Sequence, residues 1–268
     1  MVDELAGGKL LLDSPAEAVV RLRISNPERR NALDHDILDA LAETLPRLDR
    51  GIETRCLLIT GAPPVFSAGY DIASIPSETF ERDAEALVAH PFHAAMEAIA
   101  RHPWPTVAAI NGHCIGGGLE LAITCDLRIC AAGAKLGMPP VKLGLVYGHT
   151  GLRKFLDTVG LARTKELFLT GRNFEAARAE EIGLVHEVVA DQRLEEASVT
   201  LAAEIAANAP LSMRGNKSAI DLLNASPILS EQQEGGLIAL RESCFASEDL
   251  REGIRAFAEK RKPDWKGR

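Results

Sequence analysis

Three consecutive glycines stand directly before an apolar stretch that carries one carboxylate. Residues 111–120 read NGHCIGGGLE, so that Glu120 follows the glycines after a single leucine. If this stretch opens a helix, its first N–H groups lack intrahelical partners and the helix dipole makes that end partially positive. Glycine also lets a carbonyl oxygen approach the backbone closely. The pattern favours a site that stabilises an oxyanion beside an acid or base, although a tight turn that packs a helix on a sheet would use the same glycines.

A second turn of small residues strengthens the first interpretation. Residues 66–72 read FSAGYDI and follow the apolar run 56–60, whereas the glycines follow the apolar run 107–110. Both runs are typical of strands that are covered on both faces. If the two strands are neighbours in a parallel arrangement, their C-terminal ends share one sheet edge, where ligands bind in open α/β sheets. Two N–H groups that converge there would form an oxyanion hole.

The elements that must hold these turns follow from the spacing of apolar residues. Strand patterns occur at 18–24, 56–60, 107–110, 127–131 and 185–189, and helical patterns at 34–48, 84–99, 194–207, 211–223, 232–245 and 250–258. Asp34 or Asp36 is expected to cap the first helix, Pro46 to disturb its last turn, and Pro91 to interrupt the second. The order predicts an α/β core over residues 1–195. Residues 196–268 form a helical region whose apolar faces pack on the core or on another subunit.

Composition limits the kinds of partner. The 268 residues are 46% hydrophobic with a formal net charge of -8, which argues against a broad nucleic-acid surface. The five cysteines form no CxxC pair, which indicates reduced, buried thiols, a cytoplasmic location and no metal site. A basic leader and a run of about 18 apolar residues are both absent from the sequence, so neither secretion nor a membrane span is expected.

Taken together, the motifs resemble the crotonase superfamily, the enoyl-CoA hydratase/isomerase family, over nearly the whole length. The matching stretches are residues 31–33, 66–72, 111–112, 116–120, 125–126, 169–171, Ala179 with 183–185, and 252–253 with Phe257 and 259–261. The resemblance implies an α/β fold in which a spiral of repeated ββα units is followed by a C-terminal helical trimerisation region. It also implies a homotrimer or a dimer of trimers. The substrate would be an acyl-CoA thioester, with coenzyme A entering as part of the substrate and no separate cofactor.

Carried over residue by residue, the resemblance assigns the site. The oxyanion N–H donors fall on Tyr70 and Gly117, and Glu120 is the acid or base. The remaining thioester contacts are expected from Ala68, Asp71, Ile72, Ala73 and Pro140, with Arg30 and Lys260 as candidates for the CoA phosphates.

The carboxylate count differs from that of a typical hydratase, which uses two glutamates around one water. The position of the second glutamate falls on Pro140, so Glu120 is expected to act as the single acid/base. Residues 138–147, MPPVKLGLVY, most resemble the methylmalonyl-CoA decarboxylase branch, in which Tyr147 would orient a substrate carboxylate. Hydratase or isomerase chemistry and decarboxylation both remain open at this point. A non-enzymatic CoA-binding or RNA-binding relative is a third alternative, which the acidic net charge disfavours.

Overall fold

A mixed sheet forms the centre of the molecule. The computed structural model describes residues 2–48, 52–71, 88–226 and 230–268. Its strands are β1 (Asp3–Leu5), β2 (Leu10–Ala16), β3 (Val19–Ile24), β4 (Cys56–Gly61), β5 (Val65–Ser67), β6 (Thr106–Ile110), β7 (His113–Ile115), β8 (Leu127–Ala131), β9 (Lys135–Gly137), β10 (Asn173–Glu175) and β11 (Glu187–Val189). Seven of them form one sheet in the order β1-β2-β3-β4-β6-β8-β11, and four short ones form a second sheet in the order β10-β9-β7-β5.

The α-helices lie between and after these strands. They are α1 (His35–Leu48), α2 (His93–Ala100), α3 (Gly117–Thr124), α4 (His149–Thr170), α5 (Ala176–Glu181), α6 (Leu194–Ala206), α7 (Pro210–Ala225), α8 (Glu231–Ala246) and α9 (Glu248–Glu259). The chain repeats a ββα unit three times, as β4-β5-α2, β6-β7-α3 and β8-β9-α4. The first strand of each unit joins the large sheet and the second joins the small one.

Parallel pairing brings the two predicted turns together. Strand β4 pairs with β6 in parallel, with Leu57 opposite Thr106 and Thr60 opposite Ala109. Their alternate residues point to opposite faces: Leu57 and Ile59 join the core under α1 and α2, whereas Cys56 and Leu58 pack toward α6. Both faces are covered, which accounts for the almost wholly apolar sequences of these strands.

Element boundaries differ from the predictions where prolines intervene. Asp34 caps α1, since its Oδ1 accepts the N–H of Ile37 at 3.0 Å. Pro46 lies inside α1, two residues before its end at Leu48, so the helix is not broken at the proline. Residues 84–87 of the predicted second helix lie outside the described residues, and Pro91 belongs to a π-helical turn (Val88–Phe92) that precedes α2.

The C-terminal helices differ in how they pack. Helix α6 lies on the large sheet, where Leu194, Ala202 and Ala206 are buried. Helix α8 buries no residue, and in α9 the side chains of Ile254 and Phe257 are 64% and 88% exposed. All five cysteines are free, and Cys244 is half-buried rather than buried as predicted. Within the described ranges, no helix combines the length and the apolar character that crossing a bilayer requires.

Candidate active site

A buried asparagine holds the first turn in place. The side-chain amide of Asn31 donates to the carbonyl oxygens of Ala62 at 2.8 Å and Val65 at 2.6 Å, and its Oδ1 accepts the N–H of Asn26 at 2.9 Å. The hydroxyl of Ser67 in turn donates to the Asn31 carbonyl at 2.8 Å. Asn31 has a φ of 54°, a left-handed conformation that asparagine tolerates better than most residues. One side chain therefore joins the segment that leads into β5 to the segment that precedes α1.

We expect Asn31→Ala to lower the free energy of unfolding by about 3 kcal/mol, because it leaves three backbone groups without their partner. Urea denaturation measures the change. Asn208→Ala is the control, since Asn208 is exposed, lies just beyond the end of α6, and its side-chain amide donates to the backbone carbonyl of Glu204 at 3.2 Å. An equal effect of the two substitutions would contradict this role of Asn31.

The backbone around Tyr70 lies next to the start of α3. Leu33 and Tyr70 form an isolated parallel β-bridge. The Leu33 N–H donates to the Gly69 carbonyl at 2.7 Å, and the Leu33 carbonyl accepts the Asp71 N–H at 3.0 Å. In such a bridge the N–H of the central residue, Tyr70, points away from Leu33. Gly69 has a φ of +95°, and a Cβ built on it would lie 3.1 Å from the nitrogen of Gly117. The two turns thus meet, as the sequence predicted from their positions after neighbouring strands.

Aromatic rings surround this meeting point. The Tyr70 ring lies directly over Gly117, where an added Cβ would be 2.6 Å from Tyr70 Cε1. Phe92 packs edge-on against Tyr70 at 4.6 Å between ring centroids, and the Tyr147 ring lies nearly parallel to that of Tyr70 at 6.4 Å. Phe168 then contacts Tyr147 at 5.4 Å. A side chain larger than hydrogen at residue 117 would therefore require the Tyr70 ring to move.

Glu120 is the end of a short chain of hydrogen bonds. The Tyr147 hydroxyl donates to Glu120 Oε2 at 2.6 Å, and the Tyr70 hydroxyl donates to the Tyr147 oxygen at 3.1 Å. Glu120 lies in the first turn of α3 and is 4% exposed. The structure therefore brings both tyrosines, the glutamate and Gly117 into one cluster.

Burial governs the ionisation of this cluster. It raises the pKa of the Glu120 carboxyl, while the hydrogen bond from Tyr147 and the charges of Lys154 and His93 act in the opposite direction. Burial, reinforced by the Glu120 charge, raises the pKa of Tyr147 and of Tyr70. The tyrosines therefore remain hydrogen-bond donors at neutral pH, and the carboxyl group is the member of this chain suited to exchange a proton there.

The start of α4 closes the cluster from the other side. A Cβ built on Gly151 would lie 2.6 Å from Glu120 Oε2 and 2.6 Å from Tyr147 Cε1. Lys154, one turn further along, donates to the Thr124 hydroxyl at 2.6 Å. Sequence reasoning missed Gly151 and Lys154, because α4 itself was not predicted. It also missed Phe92, which lies in the predicted helix 84–99 but showed no sign of contact with Tyr70. The only sign in the sequence that the start of α4 lies close to Glu120 was the presence of glycines next to Tyr147.

The remaining predicted residues are distributed as follows. Ala68 is exposed and its N–H donates to the Arg30 carbonyl at 3.0 Å, whereas Asp71 is buried. Pro140 is buried at the start of a 3₁₀ turn (Pro140–Leu143). Lys260 is exposed at the C-terminal end of α9. In the described part of the chain, no hydrogen bond or ion pair joins the side chains of Arg30 or Lys260 to Glu120 or Tyr147. Ile72 and Ala73 lie outside the described residues.

Similarity to known proteins extends over nearly the whole chain. The model of the enoyl-CoA hydratase/isomerase family matches residues 15–268. A Bacillus subtilis protein named probable enoyl-CoA hydratase is 38% identical over 251 residues, covering 93% of this chain and 95% of that protein. The Mus musculus protein named enoyl-CoA hydratase domain-containing protein 2, mitochondrial, is 35% identical over 272 residues, covering 96% and 87%.

A solved structure shows the same architecture. The crystal structure of an enoyl-CoA hydratase from Bacillus anthracis superposes with a TM-score of 0.88 at 32% identity, covering 97% of this chain and 100% of that chain. The predicted crotonase-like α/β fold with helices at the C-terminus is thereby confirmed.

Proposed function

Since this chain belongs to the enoyl-CoA hydratase/isomerase family, we propose that it transforms an acyl-CoA thioester through an enolate, with Glu120 as the single acid/base. The observation that carries this proposal is the buried Glu120 carboxyl group. It accepts a hydrogen bond from the Tyr147 hydroxyl at 2.6 Å, beside the point where the turn of Tyr70 meets the turn of Gly117. Coenzyme A enters as part of the substrate, and no separate cofactor takes part.

The proposed chemistry uses the converging backbone groups. When Glu120 removes a proton next to the thioester carbonyl, or when a nucleophile adds at the β-carbon, negative charge develops on the carbonyl oxygen. The N–H groups of Tyr70 and Gly117 are the proposed donors to that oxygen, and each such donor is worth about 3 kcal/mol of transition-state stabilisation. Glu120 then returns the proton. Because Pro140 supplies no second carboxylate, isomerisation, in which one base moves one proton, suits this site better than two-carboxylate hydration.

Contacts with the rest of the substrate are proposed from the turn that contains Tyr70. Ala68 and Asp71, with Ile72 and Ala73, are the proposed contacts along the thioester. Arg30 and Lys260 are proposed for the CoA phosphates; their support is the positive charge of two exposed side chains.

Decarboxylation is the second candidate, and the burial of Pro140 favours it. An apolar residue at that position would desolvate a substrate carboxylate, so that the bond to the α-carbon breaks, CO2 leaves and the electron pair passes into the enolate. Protonation of the α-carbon completes the reaction. An ionised Glu120 would repel the substrate carboxylate, so this reaction requires the protonated form, which burial promotes.

Three substrates separate the candidates. A 3-enoyl-CoA, crotonyl-CoA and methylmalonyl-CoA are incubated with the protein while the enoyl absorbance and CO2 release are followed. Double-bond migration or hydration supports the leading proposal. CO2 release without either reaction replaces it with the decarboxylase, and salt-sensitive RNA binding without turnover of any thioester replaces both.

Tyr147→Phe tests the contact between Tyr147 and Glu120. The substitution removes the hydroxyl that lowers the pKa of Glu120, so the carboxylate needed as base is lost at higher pH than in the wild type. We expect the acid limb of kcat/KM for the enoyl substrate to move up by about one pH unit. Tyr70→Phe, which removes only the outer hydroxyl, should move it less. Unchanged profiles in Tyr147→Phe would argue against the proposed contact during turnover.

A homotrimer, alone or paired into a dimer of trimers, is the proposed assembly. Its support is the apolar surface of the C-terminal helices, where Phe245, Ile254 and Phe257 are 67%, 64% and 88% exposed. Exposed apolar surface of this kind marks interfaces. We expect Ile254→Ser combined with Phe257→Ser to reduce the mass measured by light scattering, with Arg251→Ser as the exposed control. An identical mass for wild type and double variant would exclude this helix from the interface.

A further inference from the structure

Lys154 contacts the helix that carries Glu120 through one intermediate hydroxyl. Its Nζ donates to Thr124 Oγ1 at 2.6 Å, and Thr124 Oγ1 donates to the backbone carbonyl of Glu120 at 2.7 Å. A hydroxyl has one proton and two lone pairs, so both bonds can form at once. Thr124 is the last residue of α3, and Glu120 stands one turn before it. The ammonium therefore secures the carboxyl end of the short helix on which Glu120 is mounted.

The charges of Lys154 and Glu120 also act on one another. Lys154 is half-buried and forms no ion pair with a carboxylate in the described part of the chain. Burial lowers the pKa of its ammonium and raises that of the Glu120 carboxyl, and each charge counteracts the shift of the other. Two desolvated groups of opposite sign, each costly alone, thus stabilise one another.

We propose that Lys154 is a positioning residue that holds α3 through Thr124 and supplies a positive charge that favours the ionised form of Glu120. The inference rests on the proposed role of Glu120 as acid/base. The neighbouring Arg153 differs in both respects: it is exposed and its side chain pairs with Asp157 on its own helix.

Lys154 is one of several groups that influence the ionisation of Glu120. In the described residues, Tyr147 donates to its carboxylate, Tyr70 acts through Tyr147, and His93 of α2 contributes charge. A cation at the C-terminal end of α3 also complements the helix dipole, which is a purely structural role. A loss of stability would therefore not identify the proposed role, whereas a change in the ionisation of Glu120 would.

The experiment measures that ionisation directly. Protein labelled with ¹³C at the glutamate carboxyl carbons is titrated by NMR, and the Glu120 signal is assigned by its loss in Glu120→Gln. Lys154→Met keeps most of the aliphatic stem and removes the charge, Lys154→Arg keeps the charge, and Arg153→Met removes an equal charge from the adjacent position. We expect the Glu120 midpoint to rise by about one pH unit in Lys154→Met and to stay at the wild-type value in the other two.

The pH dependence of kcat/KM should change together with the NMR titration midpoint of Glu120. The acid limb of kcat/KM is expected to rise by the same amount in Lys154→Met and to be restored in Lys154→Arg. A wild-type Glu120 midpoint in folded Lys154→Met overturns the proposal. If that variant does not fold, Thr124→Val replaces it: a smaller rise of the midpoint supports the Thr124 link, and no rise overturns it. If the wild type converts no acyl-CoA, the proposed function fails, while the NMR titration still decides the role of Lys154.

Discussion

Glu120→Gln is expected to reduce kcat by about 10²- to 10⁴-fold, the range typical of a lost general acid/base. Glutamine has nearly the same shape, and its amide oxygen can still accept the Tyr147 hydroxyl that now donates to Glu120 Oε2. The binding of a CoA thioester should change little, because the N–H groups of Tyr70 and Gly117 belong to the backbone. Steady-state kinetics and calorimetric titration with a non-reactive thioester separate the two quantities.

The same substitution should leave stability unchanged or improve it. Burial raises the pKa of Glu120 above its unfolded value, so the folded protein binds this proton more tightly than the unfolded chain. Its contribution to stability is therefore favourable at low pH and is lost as the pH rises through the folded-state pKa. Glu120→Gln removes that cost at neutral pH. Glu97→Gln is the control, because Glu97 is half-buried on α2 and pairs with Arg101 of the next turn; equal activity in the two variants would refute Glu120 as the acid/base.

Gly151→Ala is expected to lower kcat about 100-fold although it adds only one methyl group. That methyl would lie 2.6 Å from Glu120 Oε2 and 2.6 Å from Tyr147 Cε1, so both side chains must move. Displacements of about 1 Å in a catalytic group can cost this much. Since the atoms in the way are the ends of flexible side chains, the protein should still fold. Alanine in place of glycine favours the helix itself by about 1 kcal/mol.

Gly148→Ala is the matched control for this substitution. Gly148 is the N-cap of the same helix, with a φ of -60° that alanine adopts freely, and an added Cβ there meets no atom within 4 Å. Thermal unfolding and kcat are measured for both variants. Wild-type kcat in Gly151→Ala, together with an unshifted acid limb, would show that the gap between α4 and Glu120 has no catalytic importance.

Several residues of the candidate site could be predicted from local sequence patterns. The positions of Tyr70 and of Gly117 with Glu120 could be predicted because each follows a continuous apolar run, and such runs are strands buried on both faces. The pairing of β4 with β6 then puts the ends of both runs at one edge. These features depend on residues close together in the chain, where periodicity and glycine conformation are informative.

The short strands of the second sheet were beyond such reasoning. Strands β5, β7, β9 and β10 have three residues each, too few for alternation to be visible. Helix α4 was missed as well, since its apolar residues form no strong stripe and Gly160, with a φ of +73°, interrupts it. Without α4 there was no way to place Gly151 or Lys154 beside Glu120.

The sequence by itself determined the α/β class and the two turns that meet beside Tyr70, and its resemblance to the family predicted Pro140 where a typical hydratase has its second glutamate. Only the tertiary structure decided what surrounds that carboxylate. Tyr147 donates to Glu120 from 27 positions away, and Lys154 acts on its helix from 30 positions beyond Thr124. Such contacts arise from the packing of α4 on α3. Because packing depends on how whole helices fit together rather than on local propensity, the ionisation of Glu120 is a property of the fold.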